Sequence, residues 1–402
     1  MTTSRDVLDA MHPESRQIHA GRVADLGHAE PTALPIHLAT AYTYPTTSEL
    51  DAVFADSSEG YVYSRIGNPT VRALEAAIAA IEGFEDGVAY GSGMAAIHGI
   101  VTTLAKSGDT IVASRDVYGA TSAILSGHLA DLGINTVFAD ATDTARFSAV
   151  IAESQPVLVL VEAISNPLIR VVDIRAIAEA SRTADALLVL DNTFATPVVI
   201  RGGDLGADAV VYSGTKHLGG HGDTTSGIIA TSGEMATTLR AKRTLVGGVA
   251  SPFDAWLVLR GIRTLDLRVR RQCANAERLA THLASHPQVK TVYYPGCNGP
   301  IPPGQFQDGL KGTMLAFEIQ EGDRDTAFRL QDSLKMILPA TTLGDVHTMV
   351  LHPATSSHRT ISQEQRDAIG IQDSLVRVSL GIEHIDDIIA DLDQAISSAV
   401  AS

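Results

Sequence analysis

The sequence is poor in cysteine and has no long apolar run. Only Cys273 and Cys297 occur among its 402 residues, which excludes a disulfide framework and a cysteine-based zinc site and favours a reducing compartment. No apolar run reaches the roughly 18 residues that a membrane-spanning helix needs, and the N-terminus lacks the apolar core of a signal peptide. We therefore predict a cytoplasmic protein.

Basic residues are also scarce relative to acidic ones. The chain has 30 Lys and Arg against 46 Asp and Glu, a formal net charge of −16, which argues against nucleic acid or an anionic membrane as a partner. A hydrophobic content of 45% and a charged content of 19% predict a globular protein with a sizeable core and two or more domains.

Short apolar runs rich in β-branched residues alternate with helical stretches such as 173–184. The runs fall at 110–114, 136–139, 157–161, 187–190, 209–212 and 227–230. Because they are apolar on both faces, they predict a buried, mostly parallel sheet between helices, and so an α/β fold. A long helical stretch and further strands beyond residue 255 predict a smaller C-terminal α+β domain.

The first sixty residues differ from the rest, with Pro31, Pro35 and Pro45 and few clear helices. We predict that residues 1–60 form an arm that contacts a neighbouring subunit. The predicted domains are then 61–255, which binds a cofactor, and 256–402.

A strand that ends in hydroxyl residues and a lysine carries the strongest chemical signal. Ser213, Thr215 and Lys216 follow the run 209–212 and precede a glycine-rich turn. The hydroxyls can bond a phosphate, and a lysine in a partly dry, cationic pocket has a lowered pKa and can form a Schiff base. Taken alone, Lys216 could equally be a surface residue.

The segment 91–96, Gly-Ser-Gly-Met-Ala-Ala, follows a predicted strand and opens a helix. Its backbone N–H groups would bind a phosphate. It also matches the G-x-G-x-x-A fingerprint of dinucleotide-binding proteins, which would indicate a nicotinamide-dependent oxidoreductase. That fingerprint requires an acidic residue at the end of the next strand, whereas Asp109 precedes that strand. A single phosphate is the favoured ligand.

Asp191 stands at the end of the run 187–190, where open α/β sheets bind ligands. A buried carboxylate there needs a cationic partner, and a protonated pyridine nitrogen would serve, although a helix cap is an alternative. An anion site, Asp191 and Lys216 match the phosphate, ring nitrogen and aldehyde of pyridoxal phosphate.

Other side chains fit the same site less strongly. Tyr118, just past a strand, could cover a planar cofactor and act as an acid or base. Arg377 could hold a substrate carboxylate through a bidentate pair, or form a surface salt bridge. His217 and His221 lack the H-E-x-x-H pattern, so we predict no metal site.

With these residues the chain resembles the cysteine and methionine metabolism (trans-sulfuration) family of pyridoxal phosphate enzymes. That family includes cystathionine γ-synthase, cystathionine γ-lyase, methionine γ-lyase and O-acetylhomoserine sulfhydrylase. The segments that carry the resemblance are 63–70, 92–94, 118–119, 165–167, 191–193, 213–216, 251–253, 260–261, 343–345, 352–353 and 377–381.

The resemblance implies the transferase fold type I of pyridoxal phosphate enzymes, with a role for each matched residue. Lys216 would carry the cofactor and move protons, while Tyr118 stacks on the ring and helps the leaving group depart. Asp191 would pair with the ring nitrogen. The remaining contacts would be Gly93, Met94, Ser213 and Thr215 to the phosphate, and Asn166, Thr342 and Arg377 to the substrate carboxylate.

The resemblance also implies an assembly. Tyr63 and Arg65 would reach the cofactor phosphate of the adjacent subunit, so the active unit would be a dimer and the full assembly a homotetramer of two such dimers.

The chain departs from the family at positions that bear on specificity. Ala120 and Ser122 follow Tyr118-Gly119 where other members carry different residues, and His347 replaces a Glu that is usual in the cystathionine enzymes. Ala123, where synthases often carry a polar or basic residue, favours a lyase.

We predict γ-elimination on methionine, homocysteine or cystathionine, to give a 2-oxo acid, ammonia and a thiol. The alternative within the family is γ-replacement on an O-acylhomoserine by a thiol, or by a carbon or nitrogen nucleophile of specialised metabolism. An oxidoreductase and a catalytically inactive scaffold are the alternatives outside it.

Overall fold

The described part of the chain contains two β-sheets, one of seven strands and one of five. The computed structural model describes residues 5–21, 31–297, 299–359 and 362–401. Its strands are β1 (Asp86–Tyr90), β2 (Thr110–Ser114), β3 (Asn135–Ala139), β4 (Leu158–Glu162), β5 (Leu187–Asp191), β6 (Ala209–Ser213), β7 (Gly227–Thr231), β8 (Val289–Tyr293), β9 (Met314–Ile319), β10 (Leu338–Pro339), β11 (Met349–Leu351) and β12 (Leu375–Ser379).

Helices cover both sheets. They are α1 (Arg5–Asp9), α2 (Pro13–His19), α3 (Thr47–Phe54), α4 (Pro69–Glu82), α5 (Gly93–Leu104), α6 (Gly119–Ala123), α7 (Leu129–Asp131), α8 (Thr144–Ser154), α9 (Ile174–Thr183), α10 (Thr196–Val199), α11 (Gly233–Val246), α12 (Pro252–Ile262), α13 (Leu265–Ala284), α14 (Arg324–Ser333), α15 (Gln363–Ile369) and α16 (Ile385–Val400). A π-helical turn, Ile124–His128, joins α6 to α7. None of the described helices is long and apolar enough to cross a membrane.

The large sheet has the order β1-β7-β6-β5-β4-β2-β3. Strands β2 to β6 run parallel, and β7 is antiparallel to its neighbours β6 and β1. Apolar side chains from both faces of this sheet are buried against helices in two large clusters. The predicted α/β fold with a mostly parallel central sheet is thus confirmed, and each of the six predicted runs forms a strand.

The carboxyl ends of the parallel strands meet at one edge of the large sheet. Glu162 ends β4 and lies directly opposite Asp191, which ends β5. The turn that carries Lys216 leaves β6 at the same edge, because β6 runs parallel to β5. This edge is where open α/β sheets bind their ligands.

The small sheet has the order β10-β11-β12-β9-β8 and is antiparallel apart from the β10–β11 pair. Its apolar face, with α13, α14 and α16, forms a separate hydrophobic core. This is the smaller C-terminal α+β unit that the sequence predicts. Strand β12 lies between β11 and β9, so Arg377 on it is held on a central strand.

The N-terminal part is less extended than we expected. Residues 1–4 and 22–30 of the predicted arm lie outside the described residues, but the rest contains the short helices α1, α2 and α3. Local signals account for two of them. Pro13 is at the first turn of α2, and the side chain of Thr46 accepts a hydrogen bond from the N–H of Glu49 to cap α3.

Candidate active site

A cavity of about 490 Å³ lies between the carboxyl edge of the large sheet and the small sheet. This volume is within the usual range for a small-molecule site. Most of the residues predicted for the site line this cavity, which we call the main cavity. They are Gly93, Met94, Tyr118, Asn166, Asp191, Ser213, Thr215, Lys216 and Arg377.

The N-terminus of α5 forms one end of the main cavity. Ser92 caps this helix by accepting a hydrogen bond from the N–H of Ala95 at 3.1 Å. A Cβ atom on Gly93 would lie 3.0 Å from the Cβ of Ser213, and one on Gly227 would lie 2.0 Å from the carbonyl oxygen of Ser92. The glycines therefore let the helix end approach strands β6 and β7 closely. Its free N–H groups and the Ser213 hydroxyl form a concave site suited to a phosphate.

Asp191 lies on the wall of the main cavity at the end of β5. Its Oδ1 atom accepts hydrogen bonds from the Thr193 N–H at 3.0 Å and the Thr193 hydroxyl at 2.6 Å. Burial raises the pKa of Asp191, although these hydrogen bonds act to lower it. A cationic ring nitrogen beside this carboxylate would reverse the effect of burial and be stabilised in turn.

Lys216 reaches into the main cavity from the turn after β6. Its Nζ atom donates a hydrogen bond to the Thr342 hydroxyl at 3.0 Å. Burial lowers the pKa of Lys216, and the nearby Arg377 guanidinium lowers it further. A lowered pKa increases the fraction of the lysine that is an uncharged amine. The uncharged amine is the form that can attack an aldehyde or take up a proton.

Arg377 is buried on β12 with 3% of its surface exposed. Its guanidinium donates to the Asn166 Oδ1 atom at 3.0 Å and to the Thr342 carbonyl oxygen at 3.1 Å, while its Nε atom has no partner among the described residues. Burial lowers its pKa to about 10. No described carboxylate pairs with it, so the cavity holds a buried cation that can receive one.

Tyr118 immediately precedes α6 at the rim of the main cavity. The residue is 42% exposed, and its backbone N–H donates to the carboxylate of Glu162. This bond fixes the start of α6 against the end of β4. The ring is thus held at the cavity mouth, where it can cover a planar ligand.

Four residues predicted for the site, Tyr63, Arg65, Thr342 and His347, are not part of the main cavity wall. Tyr63 and Arg65 are on a loop before α4, where an Arg65 Nη atom donates to the Thr244 carbonyl oxygen at 2.8 Å. The side chain of His347 is 62% exposed and bonds the Asp345 carboxylate at 2.8 Å. Thr342 reaches the site only through its bonds to Lys216 and Arg377.

His217 and His221 do not share a ligand. A ring nitrogen of His217 bonds the Thr313 hydroxyl at 2.7 Å, and burial lowers its pKa to about 3. A ring nitrogen of His221 bonds the carbonyl oxygen of Gly219. In the described part of the chain no group of three or more His, Cys, Asp or Glu is placed to hold a metal ion.

The sequence analysis missed Glu162, which also lines the main cavity. Burial and the neighbouring Asp191 raise its pKa well above its ordinary value. The same signal that identified Asp191, a polar residue at the carboxyl end of an apolar run, marks Glu162 as well. Applying that rule to every predicted strand would have found it.

These donors and acceptors fit a phosphorylated pyridine aldehyde. The helix end and Ser213 suit the phosphate, Asp191 suits the ring nitrogen, and Lys216 suits the aldehyde. Arg377 remains for the carboxylate of an amino acid. The cavity therefore has one matching group for each polar part of such a cofactor and its substrate.

Sequence comparison relates the chain to known enzymes. Residues 14–397 match the family described as Cys/Met metabolism PLP-dependent enzyme. An L-methionine gamma-lyase from Fusobacterium nucleatum subsp. polymorphum is 36% identical over 386 residues, which cover 94% of this chain and 96% of that protein. An O-succinylhomoserine sulfhydrylase from Pseudomonas aeruginosa is 39% identical over 363 residues, or 89% of each protein.

Structure comparison agrees. The crystal structure of a cystathionine gamma synthase from Xanthomonas oryzae pv. oryzae, in complex with aminoacrylate and cysteine, superposes with a TM-score of 0.89. The match covers 97% of this chain and 99% of that one at 34% identity. This likeness confirms the fold predicted from the resemblance.

Proposed function

Since the chain belongs to the Cys/Met metabolism family of enzymes that depend on pyridoxal 5′-phosphate (PLP), we propose that it catalyses γ-elimination on a sulfur amino acid. The substrate is methionine, homocysteine or cystathionine, and the products are a 2-oxo acid, ammonia and a thiol. The relatives named L-methionine gamma-lyase, which align with almost the whole chain, support this choice.

One observation carries the proposal. The main cavity holds an amine, Lys216, beside a buried guanidinium, Arg377, that lacks a carboxylate partner among the described residues. An amino acid substrate supplies that carboxylate, and binding it would compensate the buried charge. The substrate is then anchored at the end of the cavity where Lys216 can reach its α-carbon.

Different residues of the main cavity would hold different parts of PLP. Asp191 would hold the ring nitrogen, Tyr118 would cover the ring and Lys216 would bind the aldehyde carbon. The phosphate would be held by Gly93, Met94, Ser213 and Thr215. When bound, PLP supplies an electron sink that makes the protons next to the amino-bearing carbon acidic.

Lys216 is the residue proposed to move those protons. Its pKa is lowered by burial and by Arg377, which increases the uncharged fraction of its amine, the form that acts as a base. The hydrogen bond to Thr342 holds its Nζ atom on the side of the cavity where Arg377 and Asn166 orient the substrate. Tyr118, at the mouth, is placed to help the γ-leaving group depart.

We also propose that the active unit is a dimer and that two dimers form a homotetramer. Tyr63 and Arg65 lie outside their own main cavity on a loop beside α11. In the proposed dimer this loop contacts the phosphate site of the other subunit. His347 remains a prediction as a specificity residue, bonded here to Asp345.

The second candidate is γ-replacement on an O-acylhomoserine. It is favoured by the likeness to an O-succinylhomoserine sulfhydrylase and to a cystathionine gamma synthase. Elimination and replacement share the proton transfers that let the γ-leaving group depart. They differ in whether an incoming nucleophile, such as a thiol or an amine, then bonds to the γ-carbon.

Product analysis separates the two. The PLP-loaded protein is incubated with L-methionine and, separately, with O-acetyl-L-homoserine plus L-cysteine, and the products are identified by mass spectrometry. We expect 2-oxobutyrate and methanethiol from methionine. Cystathionine from the second mixture with methionine left intact would replace the elimination proposal by the synthase one.

A further inference from the structure

A buried arginine contacts the backbone of the turn that carries Lys216. Arg268, on α13, has 5% of its surface exposed and does not line the main cavity. Its Nη1 atom donates to the carbonyl oxygen of His217 at 2.8 Å, and its Nη2 atom donates to that of Gly261 at 2.7 Å. Since His217 is the residue after Lys216, the guanidinium holds the backbone next to the lysine against the end of α12.

The turn is rich in glycine and packs directly on this guanidinium. Gly220 has a φ of +74°, and a Cβ atom there would lie 2.0 Å from the Nη1 atom of Arg268. The N–H of Gly220 donates to the carbonyl oxygen of Lys216 at 2.8 Å, which closes the turn around the lysine. Because a glycine backbone has many accessible conformations, the turn needs contacts with its surroundings to keep one of them.

The end of α12 approaches the same turn closely. A Cβ atom on Gly261 would lie 2.2 Å from the carbonyl oxygen of Gly219 and 2.4 Å from that of Leu218. Carbonyl groups in the last turn of a helix carry partial negative charge, and a cationic side chain stabilises them. Arg268 supplies this cation, and its rigid planar fork suits two acceptors that lie in different segments.

The hydrogen bonds of Arg268 indicate a role in position. Its Nε atom donates to the Thr264 hydroxyl at 3.2 Å, so the acceptors of all three bonds are uncharged oxygens. Burial lowers the pKa of Arg268 to about 10, while the Asp345 carboxylate acts in the opposite direction. The pKa of Lys216, in contrast, is lowered by burial and by Arg377. Arg268 therefore acts on the lysine through the backbone of the turn.

The loop 342–346 contacts the turn at two further points. The Thr342 hydroxyl accepts a hydrogen bond from the Nζ atom of Lys216, and the N–H of Val346 donates to the carbonyl oxygen of Gly220 at 3.1 Å. Lys216 is thus held by this loop through its side chain and by Arg268 through its backbone.

We propose that Arg268 is a positioning residue, which fixes the turn around Lys216 so that the Nζ atom meets the PLP aldehyde and the substrate protons. This inference rests on the proposed function, because it takes Lys216 as the residue that binds PLP and moves protons. Without the guanidinium, the carbonyl oxygens of His217 and Gly261 lose their shared donor and the turn loses a fixed contact. A displacement of a reacting group by about 1 Å can lower a rate about 100-fold.

A matched pair of buried arginines tests this role. Arg16 has 7% of its surface exposed, and its guanidinium also donates to backbone carbonyl oxygens. These oxygens belong to Leu8, Asp9, Met11 and Ala80. Arg268→Met and Arg16→Met therefore remove the same group from two buried places, of which only the first contacts the Lys216 turn.

Retention of PLP by the holoenzyme is the first measurement, made by dialysis followed by PLP absorption. We expect Arg268→Met to lose PLP about tenfold faster than the wild type, and Arg16→Met to stay within about twofold of it. Equal rates of loss from the two variants overturn the proposal.

Proton transfer is the second measurement, and it separates a change in position from a general loss of stability. Exchange of the α-proton of methionine in deuterated water, followed by NMR, reports on Lys216 as a base, whereas KM reports mainly on the carboxylate site at Arg377. We expect Arg268→Met to slow exchange about tenfold while KM changes by less than about threefold. An unchanged exchange rate overturns the proposal.

Two provisions keep the outcomes separate. If Arg268→Met fails to fold, Arg268→Lys replaces it, because an ammonium group does not reproduce the planar fork, and we then expect PLP loss at least about fivefold faster than in the wild type. Formation of 2-oxobutyrate from methionine by the wild-type enzyme is scored independently. Its absence counts against the proposed elimination, whereas the comparison of PLP loss between the two variants judges Arg268 alone.

Discussion

Arg377 shows how one residue can be placed for binding at the expense of local stability. A guanidinium buried without a carboxylate retains a net desolvation cost that hydrogen bonds to the Asn166 side chain and the Thr342 carbonyl offset only in part. The lowered pKa of Arg377 reflects this cost. Binding of a carboxylate would recover it, so part of the substrate affinity is built into the folded protein.

We predict that Arg377→Met lowers kcat/KM for an amino acid substrate by about 100-fold, equivalent to about 3 kcal/mol, mainly through KM. The melting temperature without substrate should not fall, because a buried cation is replaced by an apolar side chain of similar length. Steady-state kinetics and thermal melts of the PLP-loaded variant measure the two effects. An unchanged KM would contradict the assignment.

Glu82 is a second residue whose ionisation the fold controls. It ends α4, where its carboxylate accepts a hydrogen bond from the Tyr212 hydroxyl, next to Asn192 behind the site. Burial raises its pKa from an ordinary 4.5 to about 7. Between these pH values the folded protein keeps a proton that the unfolded chain has released. Stability from this residue is therefore complete below about pH 4.5 and falls as the pH rises to 7.

We predict that Glu82→Gln makes unfolding less dependent on pH. Relative to the variant, the wild type should lose unfolding free energy on the order of 3 kcal/mol between pH 4.5 and pH 8. Urea unfolding of both proteins at pH 5 and pH 8 measures the difference. The comparison between the two pH values removes any constant cost of the new amide. Parallel pH dependence of the two proteins would contradict the raised pKa.

At the scale of elements, the N-terminus of α5 is the part most clearly shaped for a ligand. Its Ser92 cap and the close approach of Gly93 and Gly227 to neighbouring residues hold the free N–H groups at the cavity wall. Helix α11 begins with a similar cap, in which the Ser232 side chain accepts from the Met235 N–H at 3.3 Å. The two caps differ in that Ser92 lines the main cavity.

We predict that Ser92→Ala and Ser232→Ala each cost about 1 kcal/mol of stability, the usual contribution of a helix cap. Only Ser92→Ala should weaken PLP retention, by several-fold, because the N–H groups that it orders face the phosphate. Dialysis followed by PLP absorption measures retention, and chemical unfolding measures stability. Equal retention in both variants would argue against a phosphate at α5.

The sequence predicted elements better than it predicted contacts. Strands β2 to β7 follow continuous apolar runs and could be predicted from hydrophobicity alone, although the edge strand β3 has no buried residue. The polar residue at the end of such a run identified Asp191. The hydrogen bond from Arg377 to Asn166 joins residues 211 positions apart. No local pattern encodes that pairing, and the resemblance implied only that both residues lie at the substrate carboxylate.

The local contacts of turn positions were not predicted from the sequence. The ring and the N–H of His347 both bond the Asp345 carboxylate two residues earlier, and the role of His347 at the substrate stays a prediction. A hydrogen bond to a residue two positions away can stabilise a turn side chain more than a conformation in which the side chain extends into the main cavity. Local hydrogen bonding of turn residues depends on backbone angles that sequence alone does not provide.

At the scale of the whole molecule, the loop with Tyr63 and Arg65 belongs to the surface that we propose for a second copy. Arg65 ties the loop to the end of α11, where Leu245 and Val246 are 85% and 64% exposed. Ile66, on the same loop, is 39% exposed. Exposed apolar side chains grouped in this way are typical of protein interfaces. The arrangement supports the proposed shared site.

We predict that inactive Arg65→Ala and Lys216→Ala subunits complement each other. In a mixed dimer the Arg65→Ala subunit keeps its own lysine and receives Arg65 from its partner, so one of two sites is intact. Activity per mixed dimer should reach about half that of wild type. Unfolding and refolding the two variants together before assay measures it. The control mixes Lys216→Ala with Arg377→Met, which should not recover, and failure of the first mixture would contradict the shared site.

Lys216 is the residue that we propose binds PLP. The most direct test is to reduce the PLP-loaded protein with borohydride, digest it and map the modified peptide by mass spectrometry. We expect a pyridoxyl group on Lys216 and none on the other lysines, which are Lys106, Lys242, Lys290, Lys311 and Lys335. Modification at one of those residues, or at none, would contradict the proposal.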